Sequence, residues 1–232
     1  MEKINQYYYP YHWALQGFWL YSYQKPLEYF KKLLNKNDVV LDIGCGDGKL
    51  TSLISGKVKK VIGIDNQQFP LDMAEVIIDG QGIKNVEFEN KDGVNFDYKD
   101  ESFDKVVCFD MIEHIPEEQT NKLVKNIARV LKKDGWVCIT TPNRKFLTSR
   151  IFGHNLIEKH YKEYCKEELT KMFSEDFKNI KVLGGYLPLI PLPKIEHYAN
   201  ILPLRYLFNF MVDLGKNNPG LSKTLILIAQ KK

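Results

Sequence analysis

The sequence predicts a doubly wound α/β fold built on a mostly parallel sheet. Short apolar segments rich in β-branched residues recur between residues 38 and 141, and segments with helical spacing separate them. The apolar segments are nearly continuous, which is typical of strands buried on both faces. This alternation implies right-handed βαβ crossovers with helices on both faces of the sheet.

Five strands are predicted in this part of the chain. They span residues 38–43, 58–64, 85–89, 103–109 and 135–141. Three further segments carry apolar residues at helical spacing, and these span 48–55, about 68–80 and 117–132. Strand and helix therefore alternate, as parallel pairing requires.

The two ends of the chain depart from this pattern. Strands are predicted at 176–186 and 222–232, and the segment 187–221 between them is rich in proline and large apolar side chains. The segment 7–34 is heavily aromatic and closes with a helical pattern. A loop as long as 187–221 is uncommon in a compact domain, and this one is too apolar for disorder.

We interpret the chain as one domain with two additions. The additions are an aromatic amino-terminal cap and an apolar lid, at residues 1–36 and 187–221, and the core comprises 37–186 and 222–232. Four prolines precede Leu204 in the lid, which predicts an extended stretch followed by an amphipathic helix. One face of this helix would carry Leu204, Leu207, Phe208 and Met211.

Composition sets the broad class of protein. The 232 residues are 44% hydrophobic and carry a formal net charge of +4, with the lysines spread along the chain, which disfavours nucleic-acid binding. The four cysteines form no CxxC pair, and the amino terminus lacks a signal-peptide pattern. No run of about 18 apolar residues is present. We therefore expect a reduced cytoplasmic protein without a transmembrane segment.

A glycine-rich segment, VVLDIGCGDGKL at 39–50, includes the end of the first strand. Gly44, Gly46 and Gly48 carry no Cβ, so another group can approach the backbone closely. The helix predicted next points its N–H groups and positive dipole end at this loop. Open α/β sheets bind ligands at the carboxyl ends of their strands, so a ligand with a negative or polar group is predicted here.

Two ligand classes compete for this loop. A dinucleotide fingerprint requires G-x-G-x-x-G, whereas Lys49 stands where its third glycine should be. Asp42, two residues before the first glycine, suits an ammonium or hydroxyl group better than a pyrophosphate. Asp65 at the end of the second strand can accept hydrogen bonds from ribose hydroxyls under either interpretation.

Five ordered segments of the chain resemble the class I S-adenosylmethionine-dependent methyltransferases. They read VLDIGCGDG, GID, NKDGVNF, FDKVVCFDMIEHIP and LKKDGWVCITTPN, and they cover roughly residues 38–143. MIEHIP and ITTPN, with HYKEYCKEEL at 160–169, are most similar to ubiquinone-biosynthesis O-methyltransferases and related small-molecule methyltransferases. The resemblance implies a seven-stranded Rossmann-like sheet with an antiparallel carboxyl-terminal strand. It also implies S-adenosyl-L-methionine as cofactor and S-adenosyl-L-homocysteine as its product.

The resemblance further implies a set of cofactor-binding residues. They are Asp42, Gly44, Cys45, Gly46, Asp65, Asn66, Asp92, Gly93, Asp110 and Met111. The loop 44–46 would face the methionine portion, and Asp42 would organise this loop or meet the ammonium group. Asp65 would accept from the ribose and Asp92 from the adenine amino group. An aspartate after a strand is also commonly a turn former, so this alternative stays open for Asp92.

Methyl transfer from a sulfonium is a direct displacement, so the protein must align the acceptor and exclude water. A hydroxyl acceptor also needs a general base. His114 is the first candidate and His160 the second, with a structural role at a helix start as the alternative for His114. Glu113 would bind a divalent cation or hold the loop. These three residues do not define a metal site by themselves, so none is predicted.

The favoured function is methyl transfer to a hydroxyl oxygen of a small molecule. Family members that methylate base or amide nitrogens carry an Asn/Asp-Pro-Pro-aromatic signature where this chain has DMIE. Two alternatives are transfer to a small amine and a non-catalytic cofactor-binding scaffold. A third, a nicotinamide-dependent oxidoreductase, is disfavoured by Lys49 and Asp42.

The lid and the aromatic cap imply a bulky, partly apolar acceptor. Three other roles stay open for these two segments: packing layers, a homodimer interface, and a dock for a lipid-like acceptor at a membrane surface.

Overall fold

Seven strands form one sheet in the computed structural model, which describes residues 9–15, 17–153, 156–157, 159–187 and 202–232. They are β1 (Val39–Ile43), β2 (Lys60–Asp65), β3 (Val86–Asn90), β4 (Phe103–Phe109), β5 (Leu131–Pro142), β6 (Phe177–Gly184) and β7 (Thr224–Lys231). Their order is β3-β2-β1-β4-β5-β7-β6. Strands β1 to β5 pair in parallel, and β7 is antiparallel to β5 and β6. The predicted doubly wound fold with an antiparallel carboxyl-terminal strand is confirmed.

Helices surround this sheet in the described part of the chain. They are α1 (Tyr11–Ala14), α2 (Gly17–Phe30), α3 (Lys49–Ser55), α4 (Gln68–Gly80), α5 (Glu117–Val130), α6 (Leu147–Phe152), α7 (Lys166–Phe173) and α8 (Leu202–Asn217). Short 3-10 turns occupy Lys31–Leu33 and Ile112–His114. None of the described helices is both long and apolar enough to cross a membrane.

Apolar side chains on both faces of the sheet form the core. On one face α5 and α7 contribute Leu123, Ile127, Leu169 and Phe173. On the other face α2 and α3 contribute Leu27, Phe30, Leu50 and Ile54. The neighbouring residues Val40 and Leu41 of β1 point to opposite faces, as strand geometry requires. Complete burial of one such side chain contributes roughly 1.5–3 kcal/mol, so the sheet is a firm support for its loops.

The sheet order reverses at β1, which places a crevice at its carboxyl end. From β1 the chain continues to β2 and β3 on one side, whereas β4 pairs with the other side of β1. The connections that leave β1 and β4 therefore diverge, and ligands of open α/β sheets bind at such a point.

The boundary between α5 and β5 differs from the sequence prediction. The helix predicted over 117–132 ends at Val130, and β5 begins at Leu131 rather than at residue 135. Leu131 has an extended backbone and pairs with Phe103 of β4. Pairing with a neighbouring strand therefore overrides the helical spacing of Leu131.

The spacing analysis did not predict α6 and α7, which are short. A reciprocal cap begins α7, in which the Cys165 N–H donates to Glu168 Oε2 at 2.9 Å. Only Leu169 and Phe173 of this helix are buried, so its apolar pattern covers little more than one turn. A pattern this short does not distinguish a helix from a loop.

The helix predicted in the lid is present as α8, which begins at Leu202. Its carboxyl-terminal half meets the end of β6 at two glycines, Gly184 and Gly215. A Cβ on Gly215 would lie 2.6 Å from the Tyr186 Cα, so the two backbones are in contact there. The extended stretch expected at 188–201 lies outside the described residues.

Of the four residues expected on the apolar face of this helix, Met211 is buried. The side chains of Leu204, Leu207 and Phe208 lie outside the described part of the structure. The lid itself therefore stays a prediction.

Candidate active site

The loop after β1 leaves part of its backbone open. Gly44 and Gly46 have positive φ angles of 73° and 50°. A Cβ on Gly44 would lie 2.7 Å from Met111 Cγ, whereas a Cβ on Gly46 would meet nothing within 4 Å. The N–H groups of Gly44 and Cys45 donate to the Ile64 carbonyl at 2.8 and 3.0 Å. The loop is therefore fixed to β2, and a ligand can lie against Gly46.

Asp65 ends β2 and holds the same loop. Its Oδ2 accepts from the Gly46 N–H at 3.1 Å, and its Oδ1 accepts from the Gln67 N–H at 3.0 Å. Burial raises the pKa of Asp65, while these N–H groups oppose the rise. Each carboxylate oxygen keeps a lone pair for a ligand hydroxyl. The neighbouring Asn66 is exposed.

Asp42 is buried at the end of β1. Only 1% of it is exposed, and its Oδ2 accepts from the Thr51 hydroxyl at 2.6 Å. Burial raises the pKa of Asp42 to about 7, although the Thr51 hydrogen bond acts to lower it. Asp42 thus ties the end of β1 to α3, the helix that follows the glycine loop.

Met111 connects three loops at this edge of the sheet. It follows β4, and a Cβ added to either Gly44 or Gly93 would collide with its side chain.

Asp92, next to Gly93, is exposed and accepts from the Asn95 side-chain amide at 2.9 Å, which lowers the pKa of Asp92. Asp92 therefore stabilises its own turn, and its remaining lone pairs face solvent.

Asp110 begins the loop after β4 with a φ of 49°. The Thr140 hydroxyl donates to Asp110 Oδ1 at 2.9 Å. Asp110 as a whole residue is exposed, but protein atoms surround its carboxylate, and this burial raises the pKa of Asp110. The charges of His12, His114 and His160 lower the same pKa, so three histidines lie near Asp110.

Glu113 is buried beside this loop, with 1% of it exposed. Its Oε2 accepts from the Thr141 hydroxyl at 2.9 Å, and its carbonyl accepts from the Tyr161 N–H at 2.8 Å. The segment after β5 is thereby held against the loop after β4. Burial and the negative charge of Asp110 raise the pKa of Glu113 well above its usual value, which favours the protonated form.

His114 and His160 lie edge to face, with ring centroids 4.7 Å apart. His114 Nδ1 is 3.1 Å from the Lys159 carbonyl and therefore carries its proton. His160 Nδ1 is 2.8 Å from Glu163 Oε1. A neutral ring with its proton on Nδ1 presents a lone pair at Nε2. Burial lowers the pKa of His114, so its neutral form is favoured at neutral pH.

The fold brings the three predicted catalytic residues together. Glu113, His114 and His160 each offer one ligand atom, and these atoms lie within 4.8 Å of one another. Sequence analysis predicts no metal site because His160 is distant from the other two along the chain. Two imidazoles and a carboxylate can act as proton acceptors or hold a divalent cation.

Sequence analysis missed the residues that orient this cluster. Glu163 follows His160 by three residues, a spacing that could have suggested a pair. Thr140 and Thr141 end β5 in the ITTPN segment, and their hydroxyls bond to Asp110 and Glu113. These contacts cross between strands, so local spacing gives no sign of them.

The strand order, the antiparallel β7 and the glycine loop bound to Asp65 define a Rossmann-like fold with a ligand-binding crevice. Residues 34–202 match the family described as Methyltransferase domain. The chain belongs to this family and is a methyltransferase. Open space at Gly46 and the lone pairs of Asp65 fit S-adenosylmethionine, the cofactor that the sequence resemblance implies. Membership of this family favours that cofactor over a dinucleotide at the glycine loop.

Curated relatives carry related names. A ubiquinone biosynthesis O-methyltransferase of Thiobacillus denitrificans is 31% identical over 170 residues, 68% of this chain and 72% of the relative. One of Coxiella burnetii is 25% identical over 202 residues, 82% of this chain and 80% of the relative. A demethylmenaquinone methyltransferase of Lactobacillus johnsonii is 38% identical over 117 residues, but the match spans about half of each chain.

Solved structures show the same fold. The N-methyltransferase NodS of Bradyrhizobium japonicum, in complex with S-adenosyl-l-homocysteine, has a TM-score of 0.65 at 14% identity, over 96% of this chain and 91% of NodS. A SAM-dependent methyltransferase of Archaeoglobus fulgidus has a TM-score of 0.64 at 21% identity, over 90% and 92% of the two chains. At sequence identities this low, the structural similarity is evidence for a shared fold only.

Proposed function

We propose that this methyltransferase acts on a hydroxyl oxygen of a small-molecule acceptor. The pair formed by His114 and His160 carries the proposal. In each ring Nδ1 is within hydrogen-bond distance of an oxygen atom, so Nε2 is the nitrogen that can act as a base. The ubiquinone biosynthesis relatives are named as O-methyltransferases, which favours a phenolic acceptor.

We place the cofactor across the loops that leave β1, β2, β3 and β4. When bound, it supplies a methyl group on a positively charged sulfur. The backbone of 44–46 would hold its methionine portion, with Asp42 keeping that loop in place. The other residues proposed to line it are Asp65 and Asn66 at the ribose, Asp92 and Gly93 at the adenine, and Asp110 and Met111 beside the sulfur.

His114 is the proposed base. Its Nε2 would accept the proton of the acceptor hydroxyl while the oxygen forms its new bond to carbon. The lowered pKa of His114 keeps this nitrogen unprotonated at neutral pH, as a base requires. His160, fixed by Glu163, supports the His114 ring and is the second candidate base. Glu113 holds the two loops together through Thr141.

A divalent cation held by Glu113, His114 and His160 is the second candidate for activating the hydroxyl. The spacing of their ligand atoms favours it. A cation would lower the pKa of a bound hydroxyl directly, so His114 would act as a ligand rather than as a base.

Turnover on a panel of acceptors tests the proposal. The panel pairs phenols and catechols with amines of matched size, each with and without an apolar chain. We expect methylated oxygen in the products and activity that survives chelation with EDTA. Methylation of the amines alone would overturn the hydroxyl assignment, and loss of activity on chelation, restored by added cation, would favour the cation.

We also propose that the lid covers the acceptor with the aromatic cap. In support, Lys216 of α8 lies 5.3 Å from the ring of Tyr29 in α2, so the two additions touch. A Gly-Ser segment of equal length in place of 188–201 should spare cofactor binding and lower acceptor turnover. Unchanged kcat/KM would make the lid a packing layer.

A further inference from the structure

Residues 10–14, here called the strap, lie against the glycine loop and bind it at Asp47. The His12 N–H donates to Asp47 Oδ2 at 2.8 Å, and His12 Nδ1 lies 3.1 Å from Asp47 Oδ1. The Trp13 indole N–H donates to the Asp47 carbonyl at 2.8 Å. Asp47 is 4% exposed, so the strap covers it.

Two ring contacts hold the strap from its sides. The ammonium of Lys49 lies 4.1 Å from the centre of the Trp13 ring. The His12 ring stacks on Tyr23 of α2, with centroids 4.7 Å apart and planes 23° from parallel. The strap is thus placed between the glycine loop and the helix that follows it in the chain.

The strap spans the two loops that flank the crevice. Asp47 belongs to the loop after β1, whereas His12 is near enough to Asp110, after β4, to lower its pKa. Tyr23 stacks on His12 and so lies beside the same loops, where burial first and then the charges of Asp47, Asp42 and Asp110 raise its pKa. This is the region in which we place the methionine end of the cofactor.

Polar contacts rather than apolar burial hold the strap in place. The helix α1, which contains His12 and Trp13, has no buried residue. A segment with so little buried surface opens at low free energy, whereas the core strands do not. Asp47 also accepts a hydrogen bond from the Lys49 N–H at 3.3 Å and so supports the start of α3. That role by itself would not explain why Asp47 also binds His12.

We propose that the strap is a gate over the cofactor, with His12 as the positioning residue that closes it on Asp47. Docked, the strap retains the cofactor and shields the sulfur from water; released, it lets the product S-adenosylhomocysteine leave. The inference rests on the proposed placement of the cofactor against the loop 44–46. Lids of this kind commonly limit product release.

Product release measured by surface plasmon resonance tests the gate. His12→Ala removes a side-chain hydrogen bond to a carboxylate, so S-adenosylhomocysteine should dissociate about 10- to 100-fold faster. His12→Asn keeps a donor near the position of Nδ1 and should restore most of the difference. Trp13→Phe should give a smaller acceleration. The control Val76→Ala changes an exposed side chain on α4, outside the strap, and should leave the rate unchanged.

Fluorescence of Trp13 separates a gate from a direct cofactor contact. With Trp19 and Trp136 replaced by phenylalanine, acrylamide should quench Trp13 more strongly in His12→Ala than in the parent, without any ligand. Added S-adenosylhomocysteine should protect Trp13 in the parent.

Dissociation at the parent rate in His12→Ala would overturn the gate. Faster dissociation with unchanged quenching would overturn it too, because His12 would then contact the cofactor itself. Failure of the cofactor placement looks different: Asp65→Ala would bind S-adenosylhomocysteine as tightly as the parent, whatever the strap does.

Discussion

The loops on the two sides of the crevice are held by different kinds of contact. On the side proposed for the cofactor, Asp42 and Asp65 accept hydrogen bonds from groups 2 to 19 residues away along the chain. On the acceptor side, Glu113 binds a threonine 28 residues away, and His114 binds a carbonyl 45 residues away. The contacts that hold the proposed cofactor side thus span shorter distances along the chain than those that hold the proposed acceptor side.

This difference extends to the titratable groups. Burial raises the pKa of Asp42, Asp65 and Glu113 alike. At both Asp42 and Glu113 a donated hydrogen bond opposes this rise and a like charge adds to it, from Asp65 and from Asp110 respectively. What differs on the proposed acceptor side is that burial also lowers the pKa of His114, so an acid and a base next to each other both favour their neutral forms, which suits proton transfer.

The largest expected effect lies on the acceptor side. His114→Ala should lower kcat by about 10²–10⁴-fold, because a hydroxyl acceptor then has no base. S-adenosylhomocysteine affinity should stay near the parent value, since His114 is not placed against the cofactor. In the parent, kcat/KM should fall with acidification at a midpoint below the ordinary histidine value of about 6.5. An unaltered kcat would remove His114 from the mechanism and favour His160 or an amine acceptor.

A cofactor-side prediction concerns stability. The pKa of Asp42 is raised to about 7 in the fold, so its burial costs stability as pH rises from its unfolded value toward 7. Asp42→Asn removes this cost while its amide oxygen can still accept from Thr51. Between about pH 5.5 and pH 8 the variant should gain about 2 kcal/mol relative to the parent in urea unfolding. The exposed Asp213→Asn is the control, and an equal gain there would contradict the assignment to Asp42.

The smallest effect is expected at Glu113. The raised pKa of Glu113 favours its protonated form, which glutamine resembles in shape and charge. Glu113→Gln should therefore lower kcat by less than about tenfold. Steady-state kinetics with and without EDTA measure this directly. A loss of several hundredfold would show that Glu113 works as an ionised group, and the cation would then replace the base.

Sequence alone predicts the sheet and the cofactor loop because both are local features. Apolar β-branched runs give β1 to β5, and the three glycines between β1 and α3 mark the ligand loop. The helical spacing of Leu131 predicts a helix there. This prediction is wrong because Leu131 pairs with Phe103 of the neighbouring strand, which no local pattern reveals.

The acceptor side is predictable only in part. His114 and His160 were candidates by residue type and resemblance, but their contact and the role of Glu163 require the fold. The bond between His12 and Asp47 joins residues 35 apart with no shared motif, so no sequence pattern signals it.

Binding of S-adenosylhomocysteine to the parent and to Asp65→Ala, measured by calorimetry, tests the central claim that the loops after β1 and β2 hold the cofactor. The parent should bind in the micromolar range, about −8 kcal/mol. Asp65→Ala should lose roughly 1–3 kcal/mol through unpaired ribose hydroxyls, and the exposed Asp213→Ala should lose nothing. NAD should give no heat of binding. Equal affinity in the parent and Asp65→Ala, or binding of NAD in place of S-adenosylhomocysteine, would contradict the account.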